Sequence, residues 1–302
     1  MRLATFTHGG ATRIGLVVGE EVVDLTAAVP ELPREMTALL AAGAPALAAA
    51  RAATERAGRR LPLAAVHLEA PIRRPPEFLA IGLNYAGHVQ ETKRERPTFP
   101  VFFNKQSACV TGPYDPIHLP RVSTKLDYEG ELGFVIGRRC RHVPKARASE
   151  VIAGFLVVDD VSVRDWQYKA ATWTLGKSFD THGPIGPWIV TPDEVGDPHA
   201  LELRTWVNGE ERQHANTGEL IFDCFDMVAT LSTVFTLEPG LIVSTGTPSG
   251  VGGPAQRYLQ VGDVVRVEIE AIGAIENRVI EEPATTPVIW RPGNPAGARS
   301  RR

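Results

Sequence analysis

Tyr128-Glu129-Gly130-Glu131-Leu132-Gly133-Phe134-Val135-Ile136-Gly137 reads as a buried β-strand that carries two carboxylates one residue apart. Side chains at i and i+2 of a strand leave the same face, so Glu129 and Glu131 project side by side, roughly 6–7 Å apart along the backbone. Two like charges that close resist desolvation unless a cation lies between them. Taken alone, the stretch fits either a solvated strand face with two acids or half of a metal site, and the rest of the chain has to decide.

The chain around it is 302 residues long, enough for one large domain or a main domain with a smaller one. Its apolar fraction of 43% and charged fraction of 22% are those of an ordinary soluble globular protein. A formal net charge of −3 gives no electrostatic reason to expect nucleic acid or an anionic membrane as partner. Cys109, Cys140 and Cys224 are odd in number and in no metal or redox spacing, which suits buried thiols in a reducing compartment. The N-terminus MRLATFTHGG lacks the apolar stretch of a signal peptide. The apolar stretch Ala38–Ala53 is interrupted by Gly43, Pro45 and Arg51, too short and broken to span a bilayer. A cytoplasmic protein is the expectation.

Residues 2–25 read as short strands, with 14–18 and 22–25 joined as a hairpin. An Ala-rich helix is expected over about 33–58, and the proline-rich Ala70–Pro76 marks a boundary. Beyond it, short apolar runs alternate with Gly and Pro, as a mostly β region requires. One helix is expected near Phe222–Phe235, burying Phe222, Phe225, Val228, Leu231 and Phe235. Because strands and helices do not alternate regularly, a doubly wound parallel sheet is not expected. The division is residues 1–70 as a small N-terminal α+β domain, 71–285 as the main domain, and 286–302 as a flexible tail ending in Arg299, Arg301 and Arg302.

Four further segments carry chemistry-bearing residues. Asp159 and Asp160 end the apolar run Gly154–Val158, with Ser162 at a helix N-cap position. Asp159 or Asp165 reads as a helix cap, and Asp160 as a possible third oxygen ligand beside Glu129 and Glu131. Three carboxylates without His or Cys suit a hard ion, Mg²⁺ or Mn²⁺. His88 and Glu91 stand at i and i+3 of a helical start, where a carboxylate can hold the imidazole in one tautomer as a general base, or simply make a surface pair. Lys177, in the Gly-rich stretch 175–187, is either an exposed loop lysine or a cation for charge developing on a substrate oxygen. Ser244–Gly252 offers backbone N–H groups suited to an anion, or is only a tight turn; it lacks the length and ending of a P-loop.

In order along the chain, GLNYAGHVQE, FFNKQSACVTGP, YEGELGFVIG, VVDDVSVRDWQ, GKSFDTHGPIGPW, VNGEERQ and TGTPSGVG together resemble the fumarylacetoacetate hydrolase superfamily over about residues 77–270. The resemblance implies a mainly β (α+β) fold, a mixed β-sandwich or roll, usually a homodimer. It puts metal-binding acids at Glu129, Glu131 and Asp160, with one Mg²⁺ or Mn²⁺ per subunit. Asp159 stands where many members have Asn, which adds an acid beside the ligand. The catalytic pair falls on His88 and Glu91 and the loop lysine on Lys177. Arg164, Gln167, Thr247 and Lys105 fall on substrate-facing positions.

The implied activity is metal-dependent hydrolysis of a C–C bond in an acylpyruvate, a 2,4-dioxo acid, through an enolate stabilised by the metal and Lys177. The alternatives are oxaloacetate-type decarboxylation, isomerisation of a 2-hydroxy-dienedioate or hydration of a 2-oxo-4-enoate in aromatic catabolism, and, in a different class, a non-catalytic metal-dependent binding protein. Trp173, Gln90 and Glu91–Pro97 are expected to form a lid.

Overall fold

A computed structural model describes residues 1–55 and 60–284. The tail beyond residue 284, with Arg299, Arg301 and Arg302, lies outside the described residues, as does the end of the helix expected to reach residue 58.

Two sheets dominate. A twelve-stranded sheet runs Arg60–Pro62, Glu21–Asp24, Ala11–Val18, Arg2–His8, Gly183–Val190, Ile152–Asp159, Gly130–Ile136, Ile242–Ser244, Phe78–Gly82 and Val101–Lys105, with two short strands pairing off this path. A five-stranded sheet runs Glu210–Asn216, Glu202–Val207, Val264–Ile269, Gly273–Glu281 and Ile117–Leu119. Neighbours in the large sheet pair antiparallel except Ile242–Ser244 with Phe78–Gly82 and the off-path strand Val110–Thr111 with Gly183–Val190, so this is the sheet-rich α+β fold expected. The N-terminal strands are part of the same sheet, because Arg2 and Leu3 pair with Val190 and Ile189.

The strand Gly130–Ile136 explains how the layers pack. Leu132, Phe134 and Ile136 face a core shared with Leu203, Val265, Val267 and Ile275 of the five-stranded sheet. Val135, one residue out of phase, belongs with Leu156 and Val158 to the core covered by N-terminal Leu39 and Leu40. Both faces are therefore buried, which is why the strand reads as nearly continuous apolar sequence broken only by Glu131 and the glycines.

The helices depart from expectation in two places. The Ala-rich region forms two helices, Met36–Ala41 and Gly43–Ala52, because Gly43 sits in the left-handed region (φ 72°) and Pro45, which has no N–H, is tolerated only in the first turn of a new helix. The later helix spans Cys224–Val234 and starts one residue after Asp223, whose carboxylate accepts the N–H groups of Phe225 and Asp226. Its buried face is Cys224, Met227, Val228 and Leu231, so Phe222 and Phe235 fall outside the helix. Among the described residues no helix is long and apolar enough to cross a membrane.

Candidate active site

The antiparallel register gathers the acids. Gly130 pairs with Asp159 and Glu131 with Val158, so residue 160 continues the strand face that carries Val158 and, across the register, Glu131. Asp160 N–H donates to the Glu129 carbonyl at 2.9 Å, and Asp159 Oδ1 accepts the Glu129 N–H at 2.9 Å. Ligand atoms of Glu129, Glu131 and Asp160 lie within 4.8 Å of one another, all buried. On the other side, Gly133 pairs with Ser244, which brings the Ser244 hydroxyl 2.5 Å and the Gly246 N–H 2.7 Å from Glu131 Oε2. Glu129 lies just before the strand rather than in it.

Neither Asp159 nor Asp165 caps a helix: Asp165 accepts the Ser123 hydroxyl. Ser162 lies in the short strand Ser162–Val163 and donates to the Asp160 carbonyl, while the position before the helix Arg164–Gln167 is Val163. The tight strand-to-helix passage leaves no room for the expected cap and uses these polar groups to fix the acids.

Cations fill the spaces between the acids. Lys177 is 2% exposed, at the end of the single turn Thr174–Lys177, and its Nζ lies 2.7 Å from both Glu129 Oε2 and Asp160 Oδ2. The exposed-loop reading of Lys177 is therefore excluded. Arg164 Nε donates to Asp127 Oδ2 at 2.7 Å, and Nη1 donates to Glu129 Oε1 at 2.6 Å and to Gln167 Oε1 at 3.0 Å. Among the described residues Arg164 Nη2 is buried with no partner.

Lys105 is 2% exposed and does not line the cavity over the acids. Its Nζ donates to Asp160 Oδ1 at 2.6 Å and to the carbonyls of Lys177 and His182 at 2.5 and 2.9 Å, which uses all three of its donors. It stands behind the site because Val101–Lys105 pairs with Phe78–Gly82 and points this terminal side chain into the sheet interior.

The electrostatics follow from crowding. Burial tends to raise the Glu129 carboxyl, but Lys177 and Arg164 outweigh it and hold it down at about 2. Glu131 has no cation in contact, and burial followed by repulsion from Asp160 and Glu129 pushes it well above the usual carboxylate range. Burial raises Asp159 to about 7, with repulsion from Asp160 adding to it and the Glu129 N–H opposing. Burial opposes the charge on Lys177, yet Asp160 and Glu129 hold its pKa above that of a free lysine.

Among the described residues, Asp127, Glu129, Glu131, Asp159 and Asp160 are buried against only Lys105, Arg164 and Lys177. With a proton on Asp159 the acids still outnumber the cations by one, unless Glu131 holds a proton as well. A divalent ion among Glu129, Glu131 and Asp160 would remove the excess, and the all-oxygen donor set suits a hard ion. The residues fit such an ion.

A cavity of about 490 Å³ opens over this cluster, walled by Glu129, Glu131, Arg164, Gln167, Lys177 and Thr247 and roofed by His88 and Glu91. His88 Nδ1 faces Glu91 Oε2 at 3.3 Å on the helix Ala86–Glu91, and Glu91 Oε1 accepts the Gly250 N–H at 3.0 Å. Thr247 donates its hydroxyl to the Gly130 carbonyl and accepts from Gln213, whose carboxamide oxygen takes the Gly130 N–H. Of the expected lid, Glu91–Arg94 and Trp173 line the cavity, whereas Gln90 is exposed and does not. Trp173 is held in the left-handed region (φ 62°) with its ring edge-on to Phe103 at 5.6 Å, a strained backbone of the kind that marks ligand clamps.

Three amides of the loop Ser244–Gly252 are taken by the protein's own side chains. Gly246 N–H goes to Glu131, Gly250 N–H to Glu91, and Gly252 N–H to Asp127. The protein's own carboxylates are the anions that these three glycine amides bind.

Two contributors escaped the sequence reading. Asp127 accepts from the N–H groups of Tyr128, Gly252 and Gly253 and from Arg164, and so joins the metal-site strand to the loop. Gln213 joins Gly130 to Thr247. Asp127 could have been noticed as a third acid in the run Asp127–Glu131; Gln213 ends the segment VNGEERQ, but its role could not be read there, because its partners are 83 and 34 residues away.

The family described as fumarylacetoacetate (FAA) hydrolase C-terminal matches residues 77–280, and one described as Rv2993c-like, N-terminal matches residues 1–71. The chain is 42% identical to oxaloacetate tautomerase Fahd2a, mitochondrial, of Rattus norvegicus, over 93% of this chain and 92% of that protein. The crystal structure of maleylpyruvate hydrolase from Sphingobium sp. SYK-6 with manganese(II) and pyruvate superposes with a TM-score of 0.81 at 35% identity, covering 94% of this chain and 100% of that one. The 2-hydroxyhepta-2,4-diene-1,7-dioate isomerase from Mycobacterium marinum superposes with a TM-score of 0.76 at 35% identity, covering 93% and 99%.

Proposed function

The chain belongs to the fumarylacetoacetate hydrolase family of enzymes, and from that premise we propose that it hydrolyses the C–C bond of an acylpyruvate-type 2,4-dioxo acid with the help of a divalent metal ion. The observation that carries this reading is that one cavity collects a His–carboxylate pair, a buried lysine, a guanidinium nitrogen without a partner and two of three clustered acids.

Glu129, Glu131 and Asp160 would hold the ion, Mg²⁺ or Mn²⁺, one per subunit. When bound, it would supply Lewis-acid polarisation of the 2-oxo acid's oxygens. Arg164 Nη2, buried beside the acids, would receive the substrate carboxylate; a buried donor left unpaired costs about 1–3 kcal/mol, so an arriving carboxylate meets a prepared partner. Lys177 has one donor left after Glu129 and Asp160 and would stabilise negative charge as the enolate forms. His88, oriented by Glu91, would take a proton from water as the oxygen attacks the distal carbonyl. The bond between that carbonyl and C3 then breaks, the acyl group leaves as a carboxylic acid, and C3 is protonated to give a 2-oxo acid.

A second reading is favoured by the relatives named oxaloacetate tautomerase. Keto–enol interconversion of a 2-oxo diacid needs the same enolate and a proton carrier, but no attack by water. The discriminating experiment incubates purified protein with Mg²⁺ or Mn²⁺ and, separately, with acetylpyruvate, maleylpyruvate and the enol of oxaloacetate. Pyruvate release from the first two supports hydrolysis. Tautomerisation of the third with no pyruvate from the others would overturn it.

The free cysteines Cys109, Cys140 and Cys224 support a reducing compartment, which we take as the cytoplasm, although the mammalian relatives carry the name mitochondrial. Homodimer assembly is supported by the edge strand Val101–Lys105, which ends the large sheet beside the exposed Phe99 and Val101. Sedimentation at the mass of one chain would remove it.

A further inference from the structure

We propose a second metal site, distinct from the carboxylate cluster, in which His67, Glu69 and Asp115 hold a Zn²⁺-class ion. The inference does not depend on the proposed activity. His67 and Glu69 are i and i+2 of the strand His67–Glu69, with Leu68 buried between them, so both project from the outer face. Asp115 arrives from the turn that follows Val110–Thr111. Ligand atoms of the three lie within 4.8 Å of one another, and His67 Nε2 is 3.2 Å from Asp115 Oδ1. Ligands about 2.0–2.1 Å from a tetrahedral ion stand roughly 3.3 Å apart, so this pair is already at the spacing such an ion needs.

What raises the set above a chance surface cluster is that each carboxylate has one oxygen held from outside. Thr7, paired opposite His67 in the sheet, donates its hydroxyl to Glu69 Oε1 at 2.5 Å. The Gly112 N–H donates to Asp115 Oδ2 at 3.0 Å, and Asn277 fixes that turn by donating to the carbonyls of Gly112 and Asp115. Among the described residues the second oxygen of Glu69 has no hydrogen-bond partner, and that of Asp115 meets only His67. Carboxylates oriented in this way are the outer support that metal ligands require. A polar cavity of about 430 Å³ lies beside the site, walled in part by Glu69, Gly112 and Asp115 and by the exposed Arg73 and Arg74, while His67 is reached from its own exposed side.

The donor chemistry differs from that of the active site. One imidazole with two carboxylates favours Zn²⁺, Co²⁺ or Ni²⁺ over Mg²⁺, while three carboxylates favour the hard ions. A bound ion would tie the strand His67–Glu69 to the Gly112–Asp115 turn, and exposure on one side leaves a position for water.

The test is metal stoichiometry. Full-length protein stripped with chelator is dialysed against Zn²⁺, and bound metal is measured by plasma emission alongside the thermal midpoint. Wild type should take two equivalents. His67→Ala and Asp115→Asn should each take one and keep only the part of the Zn²⁺-induced rise in midpoint that the carboxylate cluster gives, and Glu131→Gln should also take one and keep only the part that His67, Glu69 and Asp115 give. Thr7→Val should weaken the second equivalent about 10–100-fold. A wild type whose single equivalent survives His67→Ala, or a His67→Ala protein that still binds two, overturns the proposal and leaves His67–Asp115 an ion pair. Circular dichroism of His67→Gln, a neutral change at a half-exposed side chain, separates lost metal from lost fold. Failure confined to Glu131→Gln bears on the active-site reading alone.

Discussion

Lys105 Nζ lies 2.6 Å from Asp160 Oδ1 with no part of its side chain in water, and the same nitrogen holds the carbonyls of Lys177 and His182. The lysine fixes both the acid and the loop that carries the second lysine. Lys105→Met keeps the length and removes the charge, leaving Asp160 with one cation and two carbonyls without a donor. Breaking a buried pair costs about 3–5 kcal/mol. The expected result is a loss of that size in chemical denaturation, together with weaker binding of Mn²⁺. Unchanged stability would mean that Lys105 is not a structural strut.

Glu131 sits among acids without a cation in contact, so removing its charge should act in opposite directions on the two forms of the protein. Glu131→Gln relieves repulsion from Asp160 and Glu129, and in chelator the variant should be more stable than wild type by about 1–3 kcal/mol in chemical denaturation. With Mn²⁺ added, wild type should rise and the variant should not. If the variant is less stable in chelator, Ser244 and Gly246 contribute more to Glu131 than the repulsion takes away.

His88 and Glu91 divide the candidate reactions. His88→Ala should lower acylpyruvate hydrolysis about 10²–10⁴-fold, the usual contribution of a general base, with the effect in kcat. Oxaloacetate decarboxylation, which needs no attacking water, should fall much less. Glu91→Gln should give a smaller loss, since it keeps an acceptor for the Gly250 N–H and gives up only the charge beside the imidazole. Equal losses in both reactions would deny His88 a role specific to water.

These expectations rest on features of unequal legibility. The closeness of Glu129 and Glu131 could be read directly, because two acids one residue apart in extended chain stay near each other, even though Glu129 lies just before the strand. Asp160 could be suspected but not placed: its position beside Glu129 depends on the Gly130–Asp159 register, a contact between segments 29 residues apart. The same holds for Lys105, which reads as a pocket residue until the edge strand turns it inward. The loop at 244–252 misled for a different reason. Its free-looking amides are satisfied by Glu131, Glu91 and Asp127, all more than 100 residues upstream. Local pattern reveals which groups can bind an anion, and only the assembled fold reveals that the anion is already present.

His182 provides a test of stability against pH away from the carboxylates. It is fully buried against Phe179, its Nε2 donates to the His118 carbonyl at 2.8 Å, and its Nδ1 has no partner among the described residues. Burial lowers its pKa to about 3, with the His118 carbonyl opposing and the Lys105 charge adding to the shift. In the unfolded chain it titrates near 6.5. Between these values the unfolded state holds a proton that the folded state lacks, so stability rises with pH across that window. The contribution is fully present above about pH 6.5 and drains away as pH falls toward 3, at about 1.4 kcal/mol per pH unit in the steep region. His182→Gln, which keeps an amide donor and cannot titrate, should flatten the urea-derived stability profile by about that slope between pH 4 and 6. Parallel profiles for the two proteins would show that His182 is protonated in the fold.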